Sequence, residues 1–289
     1  MKIFIFGSNG QLGRSFKETK ELYCGNDVLF FNKHELDITN SNQLINLIDK
    51  NKPDLIINAA AYTAVDKAEN ESAKSRLVNS FALKTVSEIC FEKKIILIHF
   101  STDYVFNGNT RTPYKENSKT NPVNQYGKSK SKGETFLLKS INKNFLIIRL
   151  SWVYSKYGLN FYSKIKKFIK KNKIIKVVDD QFGIPTSTDF IAENLDLIII
   201  KIIRKEKLSN IYHLTPNGKT TWYKFSKIIK KYILKKHNMN VKNTKIIPTK
   251  SYFKNKAKRP LYSVLNSDKI QKKLNIEFKN WDYYFKKGV

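Results

Sequence analysis

The chain opens with Lys2-Ile3-Phe4-Ile5-Phe6-Gly7-Ser8-Asn9-Gly10-Gln11-Leu12-Gly13, an apolar run that meets three evenly spaced glycines ahead of a helical pattern through Phe16 and Leu22. Strand, glycine-rich turn and helix, in that order, form the context that a dinucleotide-binding turn requires. Glycines let the backbone approach a pyrophosphate, whose charge then rests on the helix N-terminus. A turn holding no ligand is the plainer alternative; the motif's place at the very start of the chain favours the cofactor.

Working outward, a second strand over 28–31 ends in Asn32-Lys33. An acidic residue at that point would bind the ribose 2′-hydroxyl of NAD. None stands there, and Lys33 suits the 2′-phosphate of NADP instead. NADPH is therefore expected, with Glu35 leaving NADH open. Ser41 is placed to cap a helix over 42–50. Leu55–Asn58 reads as a third strand, running into Ala59-Ala60-Ala61-Tyr62, small residues that let a cofactor lie against the backbone. A helix follows over 72–92, with Leu77, Phe81, Val86, Ile89 and Cys90 on its apolar positions. The fourth strand, 95–100, delivers Ser101-Thr102-Asp103 to its carboxyl end, where open α/β sheets bind ligands. A hydroxyl there can donate to a substrate carbonyl and to the oxyanion formed from it; its simpler role is to close a turn.

Tyr126-Gly127-Lys128-Ser129-Lys130 begins the next helical pattern, ahead of a fifth strand over Phe145–Leu150. Tyr126 and Lys130 stand four apart and share one face. An ammonium beside a phenol lowers the phenol's pKa from about 10, readying it to exchange a proton near neutrality. In a chain with 48 Lys and 15 Tyr such a pair also arises by chance, so its meaning depends on its surroundings.

Composition bounds the function classes. At 289 residues and 41% hydrophobic content, the chain has enough for one large domain, or a large one with a smaller partner. The opening apolar run is too short for a signal or a span, and the most apolar later stretch, 195–203, is broken by Asp196 and Lys201. A soluble cytoplasmic protein with no membrane role is expected, with Cys24 and Cys90 reduced. The net charge of +30 invites a nucleic-acid partner, but 48 of the 54 basic residues are Lys and Arg is the better reader of phosphate and bases. Abundant Lys, Asn and Ile fit the codon bias of an AT-rich genome, so no specific nucleic acid is expected. His34, His99, His213 and His237 show no close pairing with acidic or Cys residues of the kind a zinc site uses, and no metal site is expected.

The segments G-S-N-G-Q-L-G, N-A-A-A-Y-T-A-V-D-K-A-E, S-T-D-Y-V-F-N-G, P-Y-K-E, N-Q-Y-G-K-S-K-x-x-G-E and R-L-S-W-V-Y occur in one order, at spacings that strongly resemble the dTDP-4-dehydrorhamnose reductase family. That family belongs to the extended short-chain dehydrogenases/reductases, whose glycine spacing the first turn matches better than G-x-G-x-x-G. The likeness continues through Gly158-Leu159-Asn160-Phe161, Asp180 to Thr186, Tyr212-His213-Leu214, Trp222 and Arg259-Pro260-Leu261-Tyr262-Ser263, nearly the whole chain. It implies reduction of the C4 ketone of dTDP-4-dehydro-L-rhamnose to dTDP-L-rhamnose. Tyr126 would donate the proton, Lys130 would lower its pKa and hold the nicotinamide ribose, and Thr102 would bond the keto oxygen. Gly10, Gln11 and Leu12 would meet the pyrophosphate, within a turn that also contains Gly7, Asn9 and Gly13. Asp37 and Ile38 would meet the adenosine, and Ala60, Ala61 and Tyr62 the inner face of the cofactor. Asp103 and Trp152 would contact the sugar nucleotide.

The expected architecture is α/β: a Rossmann-like, doubly wound parallel sheet with a smaller, mainly helical C-terminal substrate lobe. NAD(P) would be bound by 1–157 and substrate mainly by 158–289, with the chain crossing between them. In the second part Phe182 and Pro185 are candidates to wall the pocket and Arg259 to clamp a phosphate with its planar fork; a surface ion pair is the plainer role for that arginine. Some relatives of the resembled family dimerise through magnesium held by glutamates, whereas Arg14-Ser15 stands at that point here. A metal-linked dimer is not expected, and a homodimer of another kind is left open. Two further functions compete: reduction of a different nucleotide-linked 4-keto-6-deoxysugar, and a nonenzymatic regulatory role like that of the methionine adenosyltransferase accessory subunit. Retention of Thr102, Tyr126 and Lys130 separates the enzyme from the latter.

Overall fold

The computed structural model describes residues 1–19, 25–140, 144–171, 173–237, 244–251 and 256–287. Leu22, Cys24 and the His237 side chain lie outside the described residues. In chain order the first part contains β1 (Lys2–Phe6), α1 (Gln11–Glu18), β2 (Asp27–Phe31), α2 (Ser41–Asn51), β3 (Leu55–Asn58), α3 (Ser72–Arg76), α4 (Ala82–Glu92), β4 (Ile96–Thr102), α5 (Gln125–Lys139) and β5 (Phe145–Leu150). Then follow β6 (Val153–Tyr154), α6 (Phe161–Lys171), β7 (Ile174–Val178), β8 (Phe182–Gly183), β9 (Thr186–Ser187), α7 (Thr188–Ile203) and β10 (Ile211–His213). The last elements are β11 (Thr220–Thr221), α8 (Trp222–His237), β12 (Lys245–Thr249), α9 (Asp268–Leu274) and α10 (Trp281–Lys287).

Six strands form one sheet in the order β10-β5-β4-β3-β1-β2, and every pairing in it is parallel. Both faces are covered, so the strands carry almost unbroken apolar runs. Ile3, Ile5, Ile98, Phe100 and Ile148 face α1, α7 and α9, whereas Phe4, Phe6, Ile56, Leu97 and Ile147 face α2, α4 and α5. The direction of winding reverses between β1 and β3, which opens a crevice at their carboxyl ends. The sixth strand, β10, comes from the second half of the chain and pairs with β5 from Ile211 to His213. A separate core, with Tyr162, Ile165, Phe225, Ile229 and Phe285 at its centre, joins α6, α8 and α10.

Two local readings of the sequence change. The cap of α2 is Asn40, whose side chain accepts from Gln43 N–H at 3.1 Å, and Ser41 is already helical. The expected helix over 72–92 is two helices joined by a wider π-type turn at Leu77–Phe81. That turn holds Asn79 buried against α5, and its amide bonds both backbone groups of Tyr62 and the Ser129 hydroxyl.

Helix α5 is fixed to the sheet by polar groups as well as packing. Glu134 takes Arg149 Nε at 2.9 Å and Nη2 at 2.7 Å, and both side chains are 2% exposed. A buried pair of this kind is costly to break because the remaining charge has no partner. We expect Glu134→Gln to lose about 3–5 kcal/mol, measured by urea unfolding. A loss below about 1 kcal/mol, the size of an exposed pair, would contradict this assignment.

Candidate active site

The glycine turn is built by close approach. Gly7 has φ +80° and sits so near Ala59 and Ala60 that a Cβ would lie 2.6 Å from Ala60 N. A Cβ on Gly13 would lie 2.5 Å from both Gly7 O and Ser8 Cα, so the first turn of α1 can settle against β1 only with glycine there. Gly10 precedes α1 with no side-chain cap, and the first turn holds no acidic residue. Its free N–H groups therefore suit a phosphate. Ser8 Oγ, buried in the same turn, has no hydrogen-bond partner. These features fit a dinucleotide pyrophosphate.

The flanking cofactor candidates lie where strands end. Lys33 is exposed and only 3.9 Å from Asp37, a loose pair that leaves its ammonium available to another anion. Glu35 is turned inward onto Asn32 N–H at 2.8 Å. Asp37 accepts from the backbone and hydroxyl of Thr39, and Ile38 is buried behind it. Ala60 N–H donates to Asn58 Oδ1, Ala61 follows half-buried, and Tyr62 is gripped by Asn79. Gln11, in α1, accepts from Ser155 and Asn160. This ties the turn to the far side of the crevice, while Asn9 is exposed and Leu12 half-buried.

At the carboxyl end of β4, Thr102 Oγ1 accepts from Tyr104 N–H at 3.2 Å and donates to Asp103 Oδ1 at 3.0 Å. The Tyr126 phenol lies beside the same hydroxyl, which favours its ionised form. Helix α5 delivers Tyr126 there because Asn124 caps its start, accepting from Gly127 N–H at 2.7 Å. Gly127 is required as well, since a Cβ would lie 2.2 Å from Tyr104 O. Asp103 is buried, and burial pushes its carboxyl up to about 6 against the opposing hydroxyls of Ser263, Thr102 and Ser151. Thr102, Asp103 and Tyr126 therefore form one cluster.

The head of Lys130 turns elsewhere. Its Nζ lies 2.9 Å from His99 Nε2 and 2.6 Å from Phe100 O, almost fully buried. Burial lowers it to about 7, with Glu134 opposing. The Tyr126 phenol is pushed up to about 12 by burial, opposed by Thr102 and reinforced by Asp103. Helical spacing puts both on one face, but the longer side chain has folded down onto the sheet, and Lys130 is not among the groups that shift Tyr126.

On the other wall, Trp152 adopts φ +44°, a left-handed conformation unusual for a bulky residue. Its indole stacks on Trp222 with ring centres 3.5 Å apart and planes 6° from parallel. Trp222 Nε1 is held by Gln181 at 3.2 Å. Phe182 packs near Tyr262, and its carbonyl accepts from Ser263 N–H at 2.8 Å. Arg259 is not free: Nη2 contacts both carboxylate oxygens of Asp66 at 2.9 Å, Nη1 donates to Ala257 O at 3.0 Å, and the side chain lies beside Tyr104.

Asn58, His99, Glu134, Asp66 and Gly183 join the site although sequence reasoning did not single them out. Glu134 had a signal, since it lies four residues beyond Lys130 on the same face. His99 had a weaker one, a lone imidazole in an otherwise apolar strand. Gly183 lies under Trp152, where a Cβ would be 2.2 Å from Cε2. Gly183→Ala should therefore displace the indole, remove the coupled near-ultraviolet circular dichroism of the stacked pair and cost about 1–3 kcal/mol. An unchanged spectrum would show that this contact does not hold the stack.

The chain is similar along its whole length to known proteins. The sequence matches the family described as RmlD substrate binding domain over residues 1–289. The dTDP-4-dehydrorhamnose reductase of Aggregatibacter actinomycetemcomitans is 38% identical over 282 residues, covering 97% of this chain and 95% of the relative. A dTDP-4-keto-6-deoxy-D-glucose reductase of Streptomyces niveus is 33% identical over 224 residues, 78% of this chain and 76% of the relative. The crystal structure of a dTDP-4-dehydrorhamnose reductase of Bacillus anthracis in complex with NADP superposes with a TM-score of 0.85 at 32% identity, covering 99% of this chain and 97% of that one. The chain belongs to the dTDP-4-dehydrorhamnose reductase family.

Proposed function

We propose that this protein reduces the C4 ketone of dTDP-4-dehydro-L-rhamnose to dTDP-L-rhamnose with NADPH. The observation that carries this reading is the juxtaposition of two hydroxyls, Thr102 and Tyr126, beside the uncapped glycine turn in a chain matching the family along its whole length. NADPH supplies the hydride for the carbonyl carbon. Thr102 and Tyr126 donate to the carbonyl oxygen as charge develops on it, and Tyr126 gives up its proton to complete the alcohol. Lys130 holds the nicotinamide ribose and returns Tyr126 toward a pKa suited to that transfer. Gly10, Gln11 and Leu12 seat the pyrophosphate, and Lys33 meets the 2′-phosphate. Residues 1–157 form most of this half.

Residues 158–289 supply most of the substrate side. Trp152 and Phe182 flank the sugar nucleotide, Asp103 orients a sugar hydroxyl, and the fork of Arg259 takes the diphosphate on release from Asp66. Among the described residues no helix is long and apolar enough to cross a membrane, in keeping with reaction in the cytoplasm. The Streptomyces niveus relative favours one alternative, reduction of an epimeric dTDP-linked ketosugar, because few wall residues decide the epimer.

NADPH and NADH oxidation with a panel of dTDP-4-keto-6-deoxysugars, followed by product identification, separates these outcomes. Oxidation with none of them despite measurable cofactor binding would instead support a regulatory subunit. Tyr126→Phe should lower turnover by about 10²–10⁴ with cofactor affinity largely kept. Near-normal turnover in that variant would remove Tyr126 from its role.

A further inference from the structure

A chain of three hydrogen bonds beneath Tyr126 fixes the protons on Lys130. Ala60 N–H donates to Asn58 Oδ1 at 3.1 Å, which sets the amide's orientation; the reverse orientation would place two donors face to face. The other end of that amide, Nδ2, lies 3.4 Å from His99 Nδ1. An amide nitrogen donates and does not accept, so Nδ1 is the accepting atom and the proton of the neutral ring sits on Nε2. That Nε2–H points at Lys130 Nζ, 2.9 Å away. An ammonium has three donors and no lone pair, so it would oppose this N–H, whereas an amine accepts it. The amine still has hydrogens to donate, and Phe100 O lies 2.6 Å away to receive one.

The groups around Lys130 do not restore its charge. Glu134, the carboxylate on the same helical face, is bidentate to Arg149 of β5. From β4 come neutral His99 and the Phe100 carbonyl, and from β3 comes Asn58. The π-type turn packed on α5 contributes Asn79 and Ser80, both engaged at Ser129. Tyr126 is an uncharged phenol near neutrality. The displacement of Lys130 to about 7, caused first by burial, is in accord with this arrangement.

We propose that Asn58 and His99 hold Lys130 as an uncharged amine in the cofactor-free protein, and that it takes a proton from solvent to become the ammonium only as the nicotinamide cofactor binds. His99 is thus a positioning residue acting through Lys130. The inference rests on the reading of Lys130 as a cofactor contact, and it makes the acid conditional: Tyr126 acquires its charged neighbour only when a hydride donor is present. The expense of a buried ammonium is avoided until the ribose hydroxyls can receive it.

Two measurements test this. Nitrogen-15 NMR of the cofactor-free protein should find His99 as the neutral Nε2–H tautomer; an Nδ1–H tautomer or an imidazolium overturns the proposal. Calorimetry of NADP⁺ binding in buffers of different ionisation enthalpy should show proton uptake. With Lys130 near 7, roughly 0.9 proton per site is expected at about pH 8, where most of the free amine is neutral. Lys130→Met should remove that uptake. Binding without uptake in the wild type, or equal uptake in both proteins, overturns the proposal. Absence of NADP⁺ binding to the wild type would strike the cofactor reading and the uptake with it, while the ring spectrum still decides the charge of Lys130.

Discussion

The grip of α5 on the sheet is the constraint from which the site's geometry follows. Tyr126, Lys130, Glu134 and Leu137 fall on one helical stripe, and each meets a different layer beneath it. Leu137 packs in the core shared with Phe145 and Ile147, Glu134 neutralises Arg149, Lys130 reaches His99, and Tyr126 emerges at Thr102. The stripe runs from dry packing to the phenol beside Thr102 in under four turns. Because Glu134 and Arg149 are buried and bidentate, their fixed geometry suppresses rotation or sliding of the helix, and the hydroxyl pair at its upper end inherits that precision. The same stripe explains why Gly127 and Gly133 interrupt an otherwise good helix former. A Cβ at Gly133 would lie 2.3 Å from Asn79 O, so the helix lies close to its neighbour only without one.

Much of this architecture was legible from the chain. Alternation of apolar runs with helical patterns gave the parallel sheet, and the three glycines marked the tight turn ahead of α1 because their spacing is a steric requirement that Gly7 and Gly13 display directly. Thr102 at the carboxyl end of β4 and Tyr126 at the amino end of α5 converge because both lie at the same edge of the sheet, a consequence of topology. Less legible were contacts made by groups distant in sequence. Arg149 and Glu134 look like any exposed pair in a chain this rich in charge, and their burial depends on Glu116 and His213 closing over them. The direction of Lys130 was not legible at all. Spacing decides which face a side chain leaves from, but four rotatable bonds and the acceptors beneath decide where its head comes to rest.

The opposite wall shows another form of preparation. A left-handed tryptophan is costly, of order 1–3 kcal/mol, and persists only where its surroundings dictate it. Here they do, through Trp222 over the indole face, Gly183 at its edge and Ser151 anchored on Asp103 just before it. In the proposed function, an aromatic plane held this way would meet the sugar nucleotide with little rotamer entropy left to lose. Both walls therefore converge on Asp103, which bonds Thr102 on one oxygen and Ser151 on the other.

The pairing of Arg259 with Asp66 bears on how a diphosphate would enter. The carboxylate is half-exposed, and ion pairs at such positions contribute only about 0–1 kcal/mol. Exchanging it for a diphosphate replaces one acceptor by another with more charge and matching bidentate geometry, so the guanidinium loses little on leaving Asp66. The pair thus holds the arginine beside Tyr104, whose ring lies edge-on to Tyr126 with centres 5.9 Å apart. A cation held ready at low cost keeps the fork oriented without committing it, whereas the buried Glu134–Arg149 pair is committed permanently. Burial separates the two arginines: identical in charge and in partner type, one sits in a fully buried pair that fixes the helix, and the other in a more exposed pair that the proposed diphosphate would replace.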